Sequence, residues 1–161
     1  MLLSRDFLVL KQMSLSPQLI DDKLNLYQFE SNNTTFLVSF LQTGRKTKIM
    51  LYSSRNWKSF LNEDMVLVKL KLVKRSRILK NSVFQKMKAI NGLYQMPVVK
   101  IIITEHISKT YIMDEHEAEY IKPEDTVDGI HIMNEKRFKK FVANYNADKV
   151  NKTSIAYQLG E

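Results

Sequence analysis

The chain has 161 residues, is 44% hydrophobic and 26% charged, and carries a formal charge of +8. That length suits one domain with a real core, and that composition excludes collagen-like, mucin-like and strongly disordered classes. The absence of cysteine removes disulfides, thiolate zinc sites, iron–sulfur ligation and any cysteine nucleophile.

The opening stretch, MLLSRDFLVLKQM, has short apolar runs broken by Arg5, Asp6 and Lys11. It lacks the basic region and long apolar stretch of a signal peptide. No window holds 18 consecutive apolar residues, so no membrane span and no membrane partner are expected. With no cysteine to oxidise, a cytoplasmic location is the expectation.

Leu24 to Phe29 is short and mixed, and Asn32-Asn33 reads as a turn. Thr34 to Leu41, TTFLVSFL, is rich in strand formers and predicts a buried strand. Gln42-Thr43-Gly44-Arg45 reads as a hairpin turn, with Gly44 free to take positive φ, and Lys46 to Tyr52 alternates as its second strand. Ser53 or Ser54 is placed to cap a short helix through Asn62, whose inner face would hold Trp57, Phe60 and Leu61. Met65 to Lys74 alternates again, with Val66, Val68, Leu70 and Leu72 on one face and Lys69 and Lys71 on the other.

Ser76 begins a helix to about Ile90, with Leu79, Val83, Met87 and Ile90 at the helical period. Val98 to Thr104, VVKIIIT, is the best candidate for a central strand. Lys109 to Met113 predicts another strand, Asp114 to Asp128 an acidic irregular stretch, and Gly129 to Met133 a last strand. Asn134 caps a final helix with Phe138, Phe141, Val142 and Tyr145 inward. Residues from about 150 to 161 read as a flexible tail. The expectation is a single α/β (α+β) domain, residues 1–161, with a central mixed β-sheet and about three packed helices.

The charge is unevenly spread. Arg45 to Lys88 holds thirteen basic residues against two acidic, a net +11, whereas Glu105 to Glu135 is net −7. Such a distribution steers a polyanion to one side. Arg45, Lys48, Arg55, Lys58, Lys69, Lys71, Lys74, Arg75, Arg77 and Lys80 are the candidate phosphate contacts, because phosphate needs positive donors and no base-specific geometry. Tyr52 or Trp57 would stack on a base if exposed, but Phe60 and Leu61 beside Trp57 favour the core for it. Solvated surface and intramolecular pairing of the basic and acidic stretches is the plainer alternative.

Little else carries chemistry. Four unclustered glycines argue against a phosphate loop or dinucleotide fingerprint. Asp114, His116, Glu117 and Glu119 are close in sequence, and Asp128 and His131 would join them if the strands run side by side. Their spacing matches no metal motif, so neither a metal nor another cofactor is expected. An acidic surface loop is the plainer reading.

The segment FLVSFLQTGRKTKIMLYSSRNWKSFL, with its Asn56-Trp57-Lys58 step, resembles the central hairpin of the nuclease-related domain (NERD) group of the PD-(D/E)xK nuclease-like superfamily. KNSVFQKMKAI followed by VVKIIIT is similar to that group's helix and next strand, and GIHIMNEKRFKKFV to its closing strand and helix. The resemblance touches about two thirds of the chain and implies a restriction-endonuclease-like core. It also implies an Asp on the first hairpin strand and Glu-x-Lys on the second. Phe36 to Phe40 and Ile49 to Tyr52 hold neither, and the only D-x-K string is Asp21-Asp22-Lys23. Metal-dependent phosphodiester cleavage needs clustered carboxylates, so the resemblance favours a relative without catalysis.

The function expected is a non-catalytic nucleic-acid-binding or accessory domain that uses a basic surface over residues 45–80, with DNA or RNA as partner. The alternative is a protein–protein interaction or assembly module, including a homodimer, with a dipolar charged surface. A metal-dependent nuclease is a third and weaker reading.

Overall fold

Val98–Thr104, with one charge in seven residues, and Thr34–Phe40, with none, are the apolar runs that a sheet covered on both faces requires. The computed structural model describes residues 4–61, 76–90, 96–114 and 117–160. It opens with α1 (Arg5–Gln12), β1 (Gln18–Asp21), β2 (Leu26–Ser31), β3 (Thr34–Phe40), β4 (Thr47–Leu51) and β5 (Trp57–Leu61). Then come β6 (Arg77–Ile78), α2 (Ser82–Ala89), β7 (Val98–Thr104), β8 (Lys109–Asp114) and β9 (Glu117–Tyr120). The chain closes with β10 (Thr126–Val127), β11 (Ile130–Asn134), α3 (Glu135–Ala143), α4 (Ala147–Thr153) and β12 (Ala156–Tyr157).

The strands form a mixed α/β domain with two sheets. A seven-stranded sheet has the order β1-β2-β3-β7-β11-β10-β12, and a five-stranded sheet the order β6-β5-β4-β8-β9. In the large sheet β3, β7 and β11 run parallel, with Phe36 opposite Val99 and Ile101 opposite His131. In the small sheet β4 and β8 run parallel, each flanked by an antiparallel strand. The central position expected for VVKIIIT is the one β7 occupies.

Alternation along the strands divides the core in two. Leu37, Ile102, Ile130 and Ile132 of the large sheet meet Ile49, Leu51, Trp57 and Ile112 of the small sheet, with Val83, Phe84 and Met87 of α2 beside them. Their neighbours Phe36, Val38, Ile101, Ile103 and Met133 face the other way, onto Leu10 of α1 and Phe138 and Val142 of α3. Every core strand of the large sheet is therefore apolar on both faces.

The hairpin expected between residues 34–41 and 46–52 does not form. β3 and β4 lie in different sheets. Leu41 N–H still bonds to Ile103 O at 2.7 Å, so the chain follows β7 past the end of β3 before it turns. Gly44 and Lys46 then take positive φ, 83° and 54°. The stretch from Thr104 to Lys109 makes a matching corner between β7 and β8. The two corners are joined through Ser108 Oγ, which is 2.7 Å from Gly44 O, 2.7 Å from Thr47 Oγ1 and 3.1 Å from Thr43 Oγ1.

The helix expected over residues 53–62 is instead strand β5. Trp57 pairs with Leu51 and Ser59 with Ile49, so Trp57 points into the core, fully buried as its apolar neighbours suggested. The helix read from Ser76 starts later, at Ser82, after the short β6. Within the stretch read as irregular, β9 and β10 form, and Asp128-Gly129, with φ of 49° and 81°, turns β10 into β11. Met65 to Lys74 lies outside the described residues.

Residues 150–160, read from the sequence as a tail, contain the end of α4 and β12. β12 pairs in parallel with β10, and Gly160 O accepts from Ser54 N at 2.7 Å.

Candidate nucleic-acid interface

The small sheet has one face in the core and one facing away from it. Residues paired across strands share a face, so the register reads that second face directly. Lys48 stands between Phe60 of β5 and Lys109 of β8. The next row runs Ile78, Lys58, Met50, Tyr111, Tyr120 across all five strands. Lys58 Nζ also lies over the Tyr52 ring, 5.6 Å from its centroid, and the Tyr111 and Tyr120 rings are 5.7 Å apart.

This face thus interleaves three lysines with three tyrosines. Met50 and Phe60 at its centre are buried, while Tyr120 is 38% and Ile78 75% exposed. Lys48 and Lys58 are half-buried and Lys109 exposed. Half-burial fits lysine stems lying along apolar neighbours with the ammonium reaching water. Burial raises the Tyr52 hydroxyl above its ordinary pKa and, with the neighbouring Tyr120 as a second cause, that of Tyr111. Both rings are therefore neutral at pH 7. Among the described residues, Lys48, Lys58 and Lys109 form no ion pair.

The other predicted contacts spread around this face. Arg55 is exposed on the β4–β5 turn, beside Tyr52 and Lys58 in the chain path. Arg45 is exposed on the corner that precedes β4, toward the Lys48 end. Arg77 pairs with Ser59, which places it in a core-facing row, and it is exposed at the sheet edge. Lys80 is exposed just after β6. Lys69, Lys71, Lys74 and Arg75 lie outside the described residues. Lys109, Tyr111 and Tyr120 were missed as site residues. The alternation of Lys109, Tyr111 and Met113 shows that they share a face, but only the pairing of β8 with β4 sets that face beside Lys48.

The acidic residues grouped by sequence are not grouped in space. His131 lies in β11 with Nδ1 donating to Pro123 O at 2.8 Å and its ring against Phe141. Asp128 accepts from Leu159 N and sits 3.4 Å from Lys88 Nζ. Glu119 of the small sheet accepts from the Tyr157 hydroxyl. Asp114 pairs with Glu117 at the end of the β8–β9 ladder, and His116 lies outside the described residues. Among the described residues, no three His, Asp or Glu side chains are placed to hold a metal ion. Asp21 of the D-x-K string caps its own turn by accepting from Leu24 N at 3.2 Å. Lys100, the lone charge on β7, donates to Met87 O and Ile90 O and so closes the C-terminus of α2.

Among the described residues, no helix is long and apolar enough to cross a membrane. No protein-family profile, no curated protein and no solved structure matches the chain.

Proposed function

We propose that this protein binds nucleic acid, without cleaving it, on the outward face of its five-stranded sheet. The observation that carries the reading is the lattice of Lys48, Lys58 and Lys109 among Tyr52, Tyr111 and Tyr120. Ammonium groups meet phosphates, and aromatic rings on a sheet offer stacking surfaces to unpaired bases. A single strand suits this better than a duplex, whose bases are already stacked. Arg45 and Arg55 at the two ends of β4 extend the positive track. A cytoplasmic location accompanies this reading, on the cysteine-free composition.

Fluorescence anisotropy with labelled single-stranded RNA, single-stranded DNA and duplex DNA, at low and physiological salt, tests it. Binding should be saturable and weaken steeply with salt, as counterion release requires. Lys48→Gln and Lys58→Gln should each reduce the salt slope by about one. Tyr120→Ala should cost about 1–3 kcal/mol of binding with little change in slope. No binding at low salt, or binding indifferent to all three variants, would defeat the proposal.

The second reading, a protein-interaction module, is favoured by the edge strand β1, where Leu19 and Ile20 are 47% and 45% exposed. A concentration-dependent sedimentation coefficient abolished by Leu19→Lys would support that reading for a homodimer.

A further inference from the structure

A second positive surface lies on α3, which covers the side of the large sheet away from the small one. Lys136, Arg137, Lys139 and Lys140 all belong to this helix. Phe138 and Val142 are buried in the core beneath it. At about 100° per residue, that buried stripe turns the four cations outward, and all four are exposed. The only acid of the helix, Glu135, is buried and already held by Arg5 at 2.7 Å. Among the described residues, none of the four cations is in an ion pair.

Their positions work against the helix. Lys136 and Arg137 sit in its first turn, where the positive end of the helix dipole disfavours cations. Lys136 and Lys140 are four residues apart, and Lys136 and Lys139, like Arg137 and Lys140, are three apart, so like charges are neighbours on its surface. Packing of Phe138 and Val142 holds the helix in place despite this repulsion. A bound polyanion would relieve it.

The outer face also narrows the kind of polyanion. Phe141 and Tyr145 pack against the core, and Ala143 and Asn144 are the exposed residues beside the cations. Such a face has no large apolar side chain to insert into a bilayer and no ring to stack on a base. What it can read is a dense row of phosphates, which a duplex presents with its bases hidden.

We propose that the outer face of α3 binds the phosphate backbone of a nucleic-acid duplex, separately from the lysine–tyrosine lattice. Ile101, Ile103 and Met133 turn one face of the large sheet to α3, whereas Leu37, Ile102 and Ile132 turn the other to the small sheet. The α3 surface and the lattice therefore look out from opposite sides of the molecule, with both sheets between them. One molecule can hold a duplex on one side and a single strand on the other. That bridging rests on the lattice reading; the α3 contact does not.

The test is fluorescence anisotropy of a labelled duplex with the full chain, over a salt series, beside labelled single strands. Lys136→Gln, Lys139→Gln and Lys140→Gln combined should lower the salt slope of duplex binding by about three and leave single-strand binding unchanged. These exposed substitutions leave the core intact, and an unchanged melting temperature checks that. Single strands fixed on beads should retain labelled duplex through the wild type and not through the triple variant. Duplex binding that ignores the triple variant overturns the proposal. So does capture on vesicles of equal parts phosphatidylglycerol and phosphatidylcholine in preference to duplex. Duplex binding that depends on α3, with no single-strand binding at all, would uphold the α3 surface and defeat the lattice reading instead.

Discussion

His131 and Asp125 show how much of the acidic stretch is structural. His131 is about 6% exposed, donates to Pro123 O, and packs on Phe141. Burial drives its pKa below the ordinary histidine value, against the opposing pull of the Pro123 and Asp125 carbonyls. The folded state therefore refuses a proton that the unfolded chain accepts. The stabilisation is complete above the unfolded value of about 6.5 and is lost as pH falls below it toward the folded value. Urea midpoints measured from about pH 7 to pH 5 should fall, and His131→Phe should flatten that part of the profile. Asp125, 1% exposed, accepts from Lys122 N at 2.8 Å and from Ile155 N at 2.9 Å. Asp125→Ala strands both donors and should cost roughly 1–3 kcal/mol, read from the denaturation midpoint, with Asp125→Asn costing less. The spacing D-x-x-D-x-x-H of Asp125, Asp128 and His131 gave no hint of this, because their hydrogen-bond partners are backbone atoms.

At the level of elements, the two misread segments share one cause. Trp57, Phe60 and Leu61 satisfy the spacing of a helix face, yet Trp57 and Phe60 end on opposite faces of β5 and Leu61 is 45% exposed. Five residues are too few for periodicity to separate helix from strand, and the pairing with β4 decides. The Gly44 turn has the chemistry of a hairpin, yet it builds a corner, because both edges of β3 are taken, by β2 and by β7. By contrast, Asn32-Asn33, with φ of 51° and 56°, makes the turn its residues announce. Asp128-Gly129 carried an equally strong turn signal where the stretch read as irregular meets the last strand. Ser108 is the polar pin between the two corners, 1% exposed. Ser108→Ala should lower stability by roughly 1–3 kcal/mol. The corner should also loosen, seen as faster amide exchange at Glu105, whose N–H bonds to Thr43 Oγ1.

Across the whole molecule, the C-terminal segment ties the two sheets together. β12 extends the large sheet beside β10. Tyr157 Oη donates to Glu119 on the small sheet, and Gly160 O accepts from Ser54 on the β4–β5 turn. Ser54 O in turn accepts from Asn81 and Gln85, which joins α2 to the same node. Removing residues 154–161 should therefore lower the melting temperature of the whole domain cooperatively, and should release Asp125 and Asp128 from their tail donors. A truncated chain with unchanged melting temperature would show that the segment only rests on the fold.

Composition, strand-forming runs and helix caps determined by themselves that this is a mixed α/β domain with VVKIIIT at its centre and Trp57 in its core. Local periodicity and burial carry that information, since apolar runs have few stable fates in water. The net +11 between Arg45 and Lys88 was equally plain. Tertiary structure alone decided that the strands divide into two sheets, that Lys109, Tyr111 and Tyr120 stand beside Lys48 and Lys58, and that the cations of α3 stand on the opposite side of the molecule. Strand pairing joins residues sixty or more positions apart by backbone hydrogen bonds, to which every residue type but proline contributes alike. No side-chain pattern along the chain encodes such a choice of partner.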